Sequence, residues 1–262
     1  MTLSRWVSLA LAMADEPLVR GVRLRREDVP DFGSYPFSTP AVSGLSKLDL
    51  SAPVTLLAGE NGSGKSTLIE ALAVALGFNA EGGSKNMTVA TRASHSELHE
   101  YLHVKRGTRR ERTGYFLRAE SFFNVATHIE QLDVEPGGGP PIIDSYGGVS
   151  LHEQSHGESF LSLVMNRFGA NGLYLLDEPE AALSLRGCLA LIRRMHDLAA
   201  EGSQFIIASH SPIILGYPDA RIYVLSESGI VETPYEETEQ YELTRSFLDD
   251  RHRFMHYLFA DE

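Results

Sequence analysis

A chain of 262 residues, of which 43% are hydrophobic, fits one globular α/β domain or one such domain with a sizeable insertion. Its formal net charge of −12 argues against a protein that binds nucleic acid or anionic membranes over its whole surface. The single cysteine, Cys188, excludes a disulfide framework and a cysteine-based zinc site, and no stretch approaches the ~20 apolar residues of a membrane span. We therefore expect a cytoplasmic protein that makes no membrane contact.

Residues 1–17 are predicted to be an N-terminal extension outside the fold, with a single domain over 18–262. An apolar run over 6–13 looks like the core of a weak signal peptide, and Ala12-Met13-Ala14 would be its A-x-A cleavage site. Two other interpretations stay open. Met13 is the true start in one of them, and in the other the segment is a helix packed on the surface or on a partner.

The most informative stretch is the one over 59–67, which follows a β-rich region over 20–58 and contains the pattern G-x-x-x-x-G-K-[ST]. An apolar, β-prone run over 52–58 precedes it, and an apolar helical run over 68–76 follows it and ends at Gly77. In that context glycines let backbone N–H groups turn inward around phosphate oxygens, and the helix N-terminus adds its positive dipole end. We expect Lys65 to reach the β- and γ-phosphates of ATP and the Ser66 hydroxyl to lie on Mg²⁺. The predicted nucleotide-binding residues are Gly59, Glu60, Asn61, Gly62, Ser63, Gly64, Lys65, Ser66 and Thr67.

The next part of the chain has weaker patterns. They predict a loop at 81–84, a helix over 93–104, a turn or hairpin tip over 107–112, a strand over 113–117 and a flexible loop over 136–141. His95, His99 and His103 would line one face of that helix, which is either a wet surface or a metal site. A run of six cations is either a phosphate or nucleic-acid patch or a solvated face: Lys105, Arg106, Arg109, Arg110, Arg112 and Arg118.

A second group of chemically suited residues follows. Ser155 and Glu158 fit the S-x-x-E capping box of a helix predicted over 156–168. A buried strand over 173–176 then ends in Asp177 and Glu178, and parallel sheets bind ligands at this end of their strands. We expect Asp177 to help hold Mg²⁺ and Glu178 to be the general base that polarises the attacking water.

The C-terminal part continues the alternation of helices and strands. A helix is predicted over 181–200, and a buried strand over 204–208 places His210 just beyond its carboxyl end. A hairpin over 221–232 and a last helix over 241–259 complete the chain. The fold class is therefore predicted to be α/β, with a mostly parallel central sheet and an N-terminal β-rich part.

The order of these motifs resembles that of ABC-class P-loop ATPases, and the SMC, RecF and OLD-nuclease branch more than the transporters. Over about residues 20–250 the chain is most similar to the small stand-alone bacterial ATPases of the AAA_23/AAA_21-like group. The segments that carry the resemblance are Tyr35 to Phe37, Gly59 to Asn61, Phe116 to Ser121, Ser155 to Ser159 and Leu176 to Ser184.

The resemblance implies a lobe I over about 18–90 and 170–240 that holds the nucleotide, and a mainly helical lobe II over about 91–169. It implies that Ser155, Gly157 and Glu158 form a signature loop that contacts the γ-phosphate bound by a second chain. It also implies that His210 is the switch histidine and that residues 180–184 form a loop at the dimer interface.

The chain departs from the transporter pattern at the position where a glutamine would be expected. That position lies near Arg118-Ala119-Glu120, so either Glu120 replaces the glutamine or Arg118 contacts phosphate. Adenine stacking is predicted for one of three aromatics, which are equally suited to the core or to turns: Phe32, Tyr35 and Phe37.

The expected function is Mg²⁺-dependent hydrolysis of ATP to ADP and phosphate by a head-to-tail homodimer that ATP gates. DNA-related or defence processes are the expected setting, with nucleic acid or a neighbour-encoded effector protein as a further partner. Two alternatives are a nucleotide-binding subunit of an ABC transporter, which the missing glutamine disfavours, and a non-catalytic, nucleotide-gated interaction module.

Overall fold

A computed structural model describes residues 16–85, 96–120, 122, 126–127, 142–146, 148–150 and 152–260. Residues 1–15 of the predicted extension over 1–17, His95 and the loop over 136–141 lie outside the described residues. The described strands are β1 (Val19–Leu24), β2 (Lys47–Asp49), β3 (Val54–Gly59), β4 (Gly83–Ser84), β5 (Leu102–Arg106), β6 (Thr113–Arg118), β7 (Gly172–Asp177), β8 (Gln204–Ala208), β9 (Arg221–Ser226) and β10 (Gly229–Glu232). The described α-helices are α1 (Pro40–Ser43), α2 (Lys65–Ala75), α3 (His156–Arg167), α4 (Leu185–Ala200), α5 (Pro212–Leu215), α6 (Glu239–Asp249) and α7 (Arg251–Phe259).

A seven-stranded sheet in the order β10-β9-β3-β8-β7-β6-β4 forms the centre of the molecule. Its five inner strands run parallel, and the edge strands β4 and β10 pair antiparallel. All residues of β3, β7 and β8 are buried, because apolar cores cover both faces of the sheet. This explains why these strands are continuous apolar runs in the sequence. The prediction of an α/β fold with a mostly parallel sheet is confirmed.

A smaller antiparallel sheet, in the order β2-β1-β5, packs beside the central sheet. Strands β1 and β2 belong to the predicted β-rich region over 20–58, whereas β5 lies outside it. The side chain of Gln204 joins the two sheets, since its Nε2 donates to the Val19 carbonyl at 2.9 Å and its Oε1 accepts from the Val19 N–H at 2.8 Å. Gln204 is buried, so both of its polar ends need such partners.

The helix predicted over 93–104 is wrong in its described part. Residues 97–101 form a 3₁₀ turn, and β5 follows over 102–106. The four-residue spacing of Leu98 and Leu102 fits a helix face, but both side chains are buried beneath a turn and a strand instead. Pairing of β5 with β1, which is distant in the sequence, determines the strand conformation. His103 lies on the strand, so the predicted histidine stripe does not form.

Two further predictions need correction. Of the two alternatives for 107–112, a turn or a hairpin tip, the hairpin tip is wrong, because β5 and β6 belong to different sheets. Part of the predicted loop at 81–84 is strand β4, which pairs with β6. The division into a lobe I and a mainly helical lobe II over about 91–169 stays a prediction; the described part of that range includes β5 and β6, of which β6 is the strand predicted over 113–117.

The last helix, predicted as continuous over 241–259, is two helices. The chain leaves helical geometry at Asp250, whose φ is −149° and ψ is 81°. The Asp250 carboxylate accepts from the Arg253 N–H at 3.0 Å and so caps the N-terminus of α7. Among the described helices, none is both long and apolar enough to cross a membrane.

Candidate functional site

The loop over 60–64 joins the carboxyl end of β3 to the N-terminus of α2, as the motif predicts. Gly64 has a φ of +93°, and a Cβ there would lie 2.9 Å from Oγ1 of Thr39. Gly59 has a φ of +145°, and a Cβ there would collide with the Leu225 carbonyl group. Only glycine fits these two positions, since a side chain would meet both backbone strain and neighbouring atoms.

Lys65 lies at the start of α2 and is only 3% exposed. Its Nζ donates to the carbonyl oxygens of Gly59 and Glu60, each at 2.9 Å, so the ammonium lies against the loop itself. Burial lowers the pKa of Lys65, and the nearby carboxylates of the site oppose that shift. A cavity of about 240 Å³ lies beside this ammonium. Its lining residues are Tyr35, Thr39, Asn61, Gly62, Gly64, Lys65, Ser66, Thr67 and Glu178.

Ser66 and Asp177 meet across the two elements that the motifs predict to form the site. The Ser66 hydroxyl donates to Oδ1 of Asp177 at 3.0 Å, with Asp177 at the carboxyl end of β7. These oxygen ligands fit Mg²⁺, which is typically bound through one or two protein oxygens together with phosphates and waters. Among the described residues there is no group of three or more His, Cys, Asp or Glu that could hold a metal on its own. A magnesium ion here would therefore depend on the phosphates of a nucleotide.

Arg118 and Glu70 complete the surroundings of Asp177. Arg118, at the end of β6, lies opposite Asp177 in the sheet register, and its Nε is 3.5 Å from Oδ2 of that carboxylate. Nη1 of Arg118 contacts Oε2 of Glu70 on α2 at 2.7 Å. Burial raises the pKa of Asp177 to about 6, although Arg118 and the Ser66 hydrogen bond act in the opposite direction. One guanidinium thus connects the helix of the phosphate loop to the strand that carries Asp177.

The raised pKa of Asp177 predicts that this carboxylate destabilises the fold without Mg²⁺. At pH values between 3.8 and about 6, the Asp177 carboxyl is protonated in the folded chain and ionised in the unfolded chain. The free energy of unfolding therefore falls as the pH rises through this window. The penalty is at most about 3 kcal/mol, at 1.36 kcal/mol per pKa unit. Asp177→Asn should therefore be more stable than the parent at a pH of about 8 in a metal chelator, with the gain shrinking toward a pH of about 4.

Urea unfolding at both pH values tests this expectation. Asp197→Asn is the control, because Asp197 is an exposed partner of Arg193 and should change stability by only about 0.5 kcal/mol. An Asp177→Asn variant less stable than the parent at the higher pH would contradict the argument.

Glu178 lines the cavity and forms a pair with His210. Nε2 of His210 lies 3.0 Å from Oε1 of Glu178, and both side chains are about one third exposed. The Glu178 N–H donates to the Ala208 carbonyl at 2.9 Å, which ties the ends of β7 and β8 together. Glu178 has a φ of +49°, a conformation that non-glycine residues rarely adopt and that is concentrated at functional sites.

Glu180 is a site residue that the motifs did not predict in its observed role. The resemblance placed it in a loop at a dimer interface, but its side chain contacts the loop over 209–211 of the same chain. Oε1 accepts from the Ser209 hydroxyl at 2.8 Å, from the Ser211 N–H at 3.1 Å and from the His210 N–H. Glu180 therefore positions the backbone that carries His210, and only the spacing Asp-Glu-Pro-Glu could have indicated it.

The predicted signature residues cap a helix. Oγ of Ser155 accepts from the Glu158 N–H at 3.4 Å, and Oε2 of Glu158 accepts from the Ser155 N–H at 3.0 Å, which is the expected capping box at the N-terminus of α3. The Ser155 hydroxyl also donates to Oε2 of Glu158 at 2.6 Å, and this hydrogen bond, together with the one from the Ser155 N–H, lowers the pKa of Glu158. Ser155 and Glu158 are exposed, and neither they nor Gly157 are among the residues that line the cavity beside Lys65. A single chain does not bring the two predicted halves of the site together.

The structure places the remaining candidate residues from the sequence in different environments. Phe37 is fully buried against Tyr101, with ring centroids 4.9 Å apart, so adenine stacking by Phe37 is wrong, whereas Tyr35 is 67% exposed at the cavity. Arg106 contacts Glu111 at 3.2 Å, and Arg118 lies in the site, so the run of six cations is not one patch. The Glu120 side chain is 88% exposed, and its role in place of a glutamine stays a prediction.

A family model described as an AAA domain, AAA_23, matches residues 31–132. The chain is 29% identical over 175 residues to ABC transporter G family member STR2 of Medicago truncatula, which covers 61% of this chain and 24% of that protein. It is 28% identical over 179 residues to the cytochrome c biogenesis ATP-binding export protein CcmA of Rhodopseudomonas palustris, which covers 63% of this chain and 82% of that protein. The chain therefore spans only about a quarter of the length of the Medicago relative.

Solved structures with a similar fold include the SMC head domain from Thermotoga maritima, with 16% identity and a TM-score of 0.40 over 72% of this chain and 93% of that chain. A nucleotide-free ATP-binding cassette from an ABC transporter has 18% identity and a TM-score of 0.41 over 82% of this chain and 91% of that chain. Because both TM-scores are below 0.5, these likenesses say nothing about activity. The family match confirms the resemblance to ABC-class P-loop ATPases.

Proposed function

We propose that the chain binds ATP with Mg²⁺ at the loop over 59–67 and hydrolyses it, and that two chains form the complete site. The observation that carries this proposal is a convergence at one edge of the central sheet. Lys65, Ser66 and Glu178 line one cavity. Asp177 accepts a hydrogen bond from Ser66, and His210 contacts Glu178. These are the groups that phosphoryl transfer to water requires.

Each group has a role that follows from its geometry. The backbone N–H groups of the loop and the Lys65 ammonium bind and orient the β- and γ-phosphates. Ser66 and Asp177 would hold Mg²⁺, which supplies charge neutralisation to the phosphates when it is bound. Glu178 accepts a proton from the attacking water as the water oxygen bonds to the γ-phosphorus and the bond to the ADP oxygen breaks. His210 orients the Glu178 carboxylate and donates a hydrogen bond to the γ-phosphate.

The exposed positions of Ser155 and Glu158, which flank the half-buried Gly157, support the proposal of a head-to-tail homodimer. The N-terminus of α3 favours anions because its backbone N–H groups and its dipole point outward. In the described chain it lies outside the cavity at Lys65, so a second copy is the natural source of the missing half.

Dimerisation gives a direct test. Glu178→Gln with Mg²⁺ and ATP should elute in size-exclusion chromatography with light scattering at twice the 28.9 kDa mass of one chain. Adding Ser155→Arg should keep the chain monomeric while ATP binding, measured by equilibrium dialysis, is retained. Adding Arg193→Glu, an exposed site on α4, is the matched control and should leave the dimer intact. A Glu178→Gln chain that binds ATP and stays monomeric would overturn the head-to-tail arrangement.

The setting of this activity is proposed to be DNA-related or defence work in the cytoplasm, with nucleic acid or an effector protein as partner. The names of the two curated relatives favour a second candidate, the nucleotide-binding subunit of a transporter. Arg118 and Glu120 stand where such a subunit would carry its glutamine, which favours the first candidate. Stimulation of hydrolysis by DNA or RNA supports the first, and co-purification with a membrane permease supports the second.

A further inference from the structure

A groove of about 440 Å³ lies on the solvent face of the small sheet, away from the nucleotide cavity. In the strand register Arg23 of β1 lies directly opposite Lys47 of β2 on one side and His103 of β5 on the other. Two residues before Arg23 on β1, Gly21 lies between Asp49 of β2 and Lys105 of β5, and it leaves the floor of the groove without a side chain. We call this surface the basic groove, and its lining residues are Arg20, Gly21, Val22, Arg23, Lys47, Asp49, Ser51, His103 and Lys105.

Arg20, one of the cations of the basic groove, contacts Glu16, whereas most of the others have no neutralising partner in the described part of the chain. Directly opposite side chains on a sheet are about 5 Å apart, so like charges there are destabilising. The one carboxylate in the lining, Asp49, contacts Arg221 at 2.9 Å. Within the part of the chain that the structure describes, Arg23, Lys47 and Lys105 make no ion pair, although all three are exposed. Arg23 and Lys47 lie directly opposite each other and repel, so an anion that bridges them would stabilise both.

The spacing and chemistry of the groove favour an extended polyanion. Residues two apart on one strand face are about 7 Å apart and neighbouring strands are about 5 Å apart, so the cations lie at two levels across three strands. Of the lining residues, none is Phe, Tyr or Trp, so the groove offers no platform on which unpaired bases would stack. Contacts limited to phosphates fit a duplex, whose bases are already stacked, and carry no sequence preference.

We propose that the basic groove binds the sugar–phosphate backbone of a nucleic-acid duplex. The net charge of −12 makes the rest of the chain repel such a partner, so the groove also orients it. The duplex is the partner on which the proposed ATPase works, and in that sense the inference rests on the proposed function. Binding itself needs no nucleotide. Gln204 connects the groove strand β1 to β8, which leads to His210, and is a physical link between the two sites.

Fluorescence anisotropy with labelled duplex DNA and duplex RNA of unrelated sequences, without nucleotide, tests the groove. The parent chain should bind, with affinity falling from about 50 mM to about 200 mM salt. The triple variant Arg23→Glu, Lys47→Glu, Lys105→Glu should bind about tenfold more weakly or worse, and each phosphate contact removed should reduce the salt slope by about 1. If duplex RNA binds as tightly as duplex DNA, or less tightly, the comparison shows which duplex the groove prefers, and the proposed site is the same.

The matched control reverses three exposed arginines elsewhere, as Arg193→Glu, Arg245→Glu, Arg253→Glu, and has the same net charge as the groove variant. It should keep most of the duplex affinity. Equal losses in both triple variants, no binding by the parent, or tighter binding of a single strand or of anionic vesicles that is unaffected by the groove variant would each overturn the proposal. Melting curves and ATP binding of both variants confirm that they fold.

Lys65→Ala separates this proposal from the proposed function. It should bind ATP about 10–150-fold more weakly and keep duplex binding. If the parent hydrolyses no ATP but binds duplex through the groove, the proposed function fails and the groove stands. If it hydrolyses ATP and the groove variant binds duplex like the parent, the reverse holds.

Discussion

Replacement of Glu178 by Gln is expected to reduce ATP hydrolysis by about 10²–10⁴-fold, the usual contribution of a positioned general base. The amide is nearly isosteric with the carboxylate and can still hydrogen-bond to His210, 3.0 Å away in the parent chain, but it cannot accept the proton of the attacking water. ATP binding should persist, because Lys65 and Ser66 are unchanged. Steady-state phosphate release together with ATP binding by calorimetry separates the two effects.

Two controls sharpen this experiment. Glu201→Gln removes an exposed carboxylate at the end of α4 and should hydrolyse ATP like the parent. Glu180→Gln should weaken hydrolysis less than Glu178→Gln, because the Glu180 side chain touches the loop over 209–211 and acts through the position of His210. A Glu178→Gln chain with the parental rate would remove Glu178 from the role of general base. It would also contradict the interpretation of the Glu178–His210 pair as the hydrolytic centre.

The contrast between Glu178 and Glu180 shows how much of the site could be predicted from the sequence. Gly59, Lys65, Ser66 and Asp177 lie on motifs whose local context, strand then loop then helix, already determines where they point. Glu180 carries no such local signal, because its partners at 209–211 come from a separate strand end. Residues that act through contacts between distant segments are invisible to motif spacing.

The ionic contacts of Arg118 also could not be predicted from motif spacing. The sequence places it at the end of a strand, but its contact with Glu70, 48 residues away, requires α2 to pack against β6 and β7. Likewise, the raised pKa of Asp177 depends on its burial, which the sequence predicts only as the end of an apolar strand.

The fold shows a parallel division. Strands β3, β7 and β8 were predictable because burial on both faces makes them short, continuous apolar runs. Strand β5 was not, since Leu98 and Leu102 fit a helical spacing and only pairing with β1 makes the segment extended. Local periodicity therefore predicts the strands that carry the proposed catalytic residues better than the strands that form the basic groove.

Lys65→Ala is expected to lower the affinity for Mg²⁺-bound ATP by about 10–150-fold, which corresponds to about 1.5–3 kcal/mol for lost hydrogen bonds to a charged group. The Lys65 ammonium lies 2.9 Å from the carbonyl oxygens of Gly59 and Glu60, at the turn where the phosphates of the nucleotide are expected. Its removal takes away the one buried cation beside the cavity that is aimed at this loop among the described residues.

Loss of a nearly fully buried lysine also affects the fold, so two further variants accompany it. Lys65→Met keeps the apolar stem and removes only the charge, and it should lose ATP affinity like Lys65→Ala while melting closer to the parent. Lys85→Ala removes a lysine that contacts Glu111 away from the cavity and should bind ATP like the parent. Calorimetric titration with ATP and Mg²⁺ measures all three. If Lys65→Met bound ATP with the parental Kd, the ammonium would not contact the phosphates, and the loop would bind the nucleotide through its backbone alone.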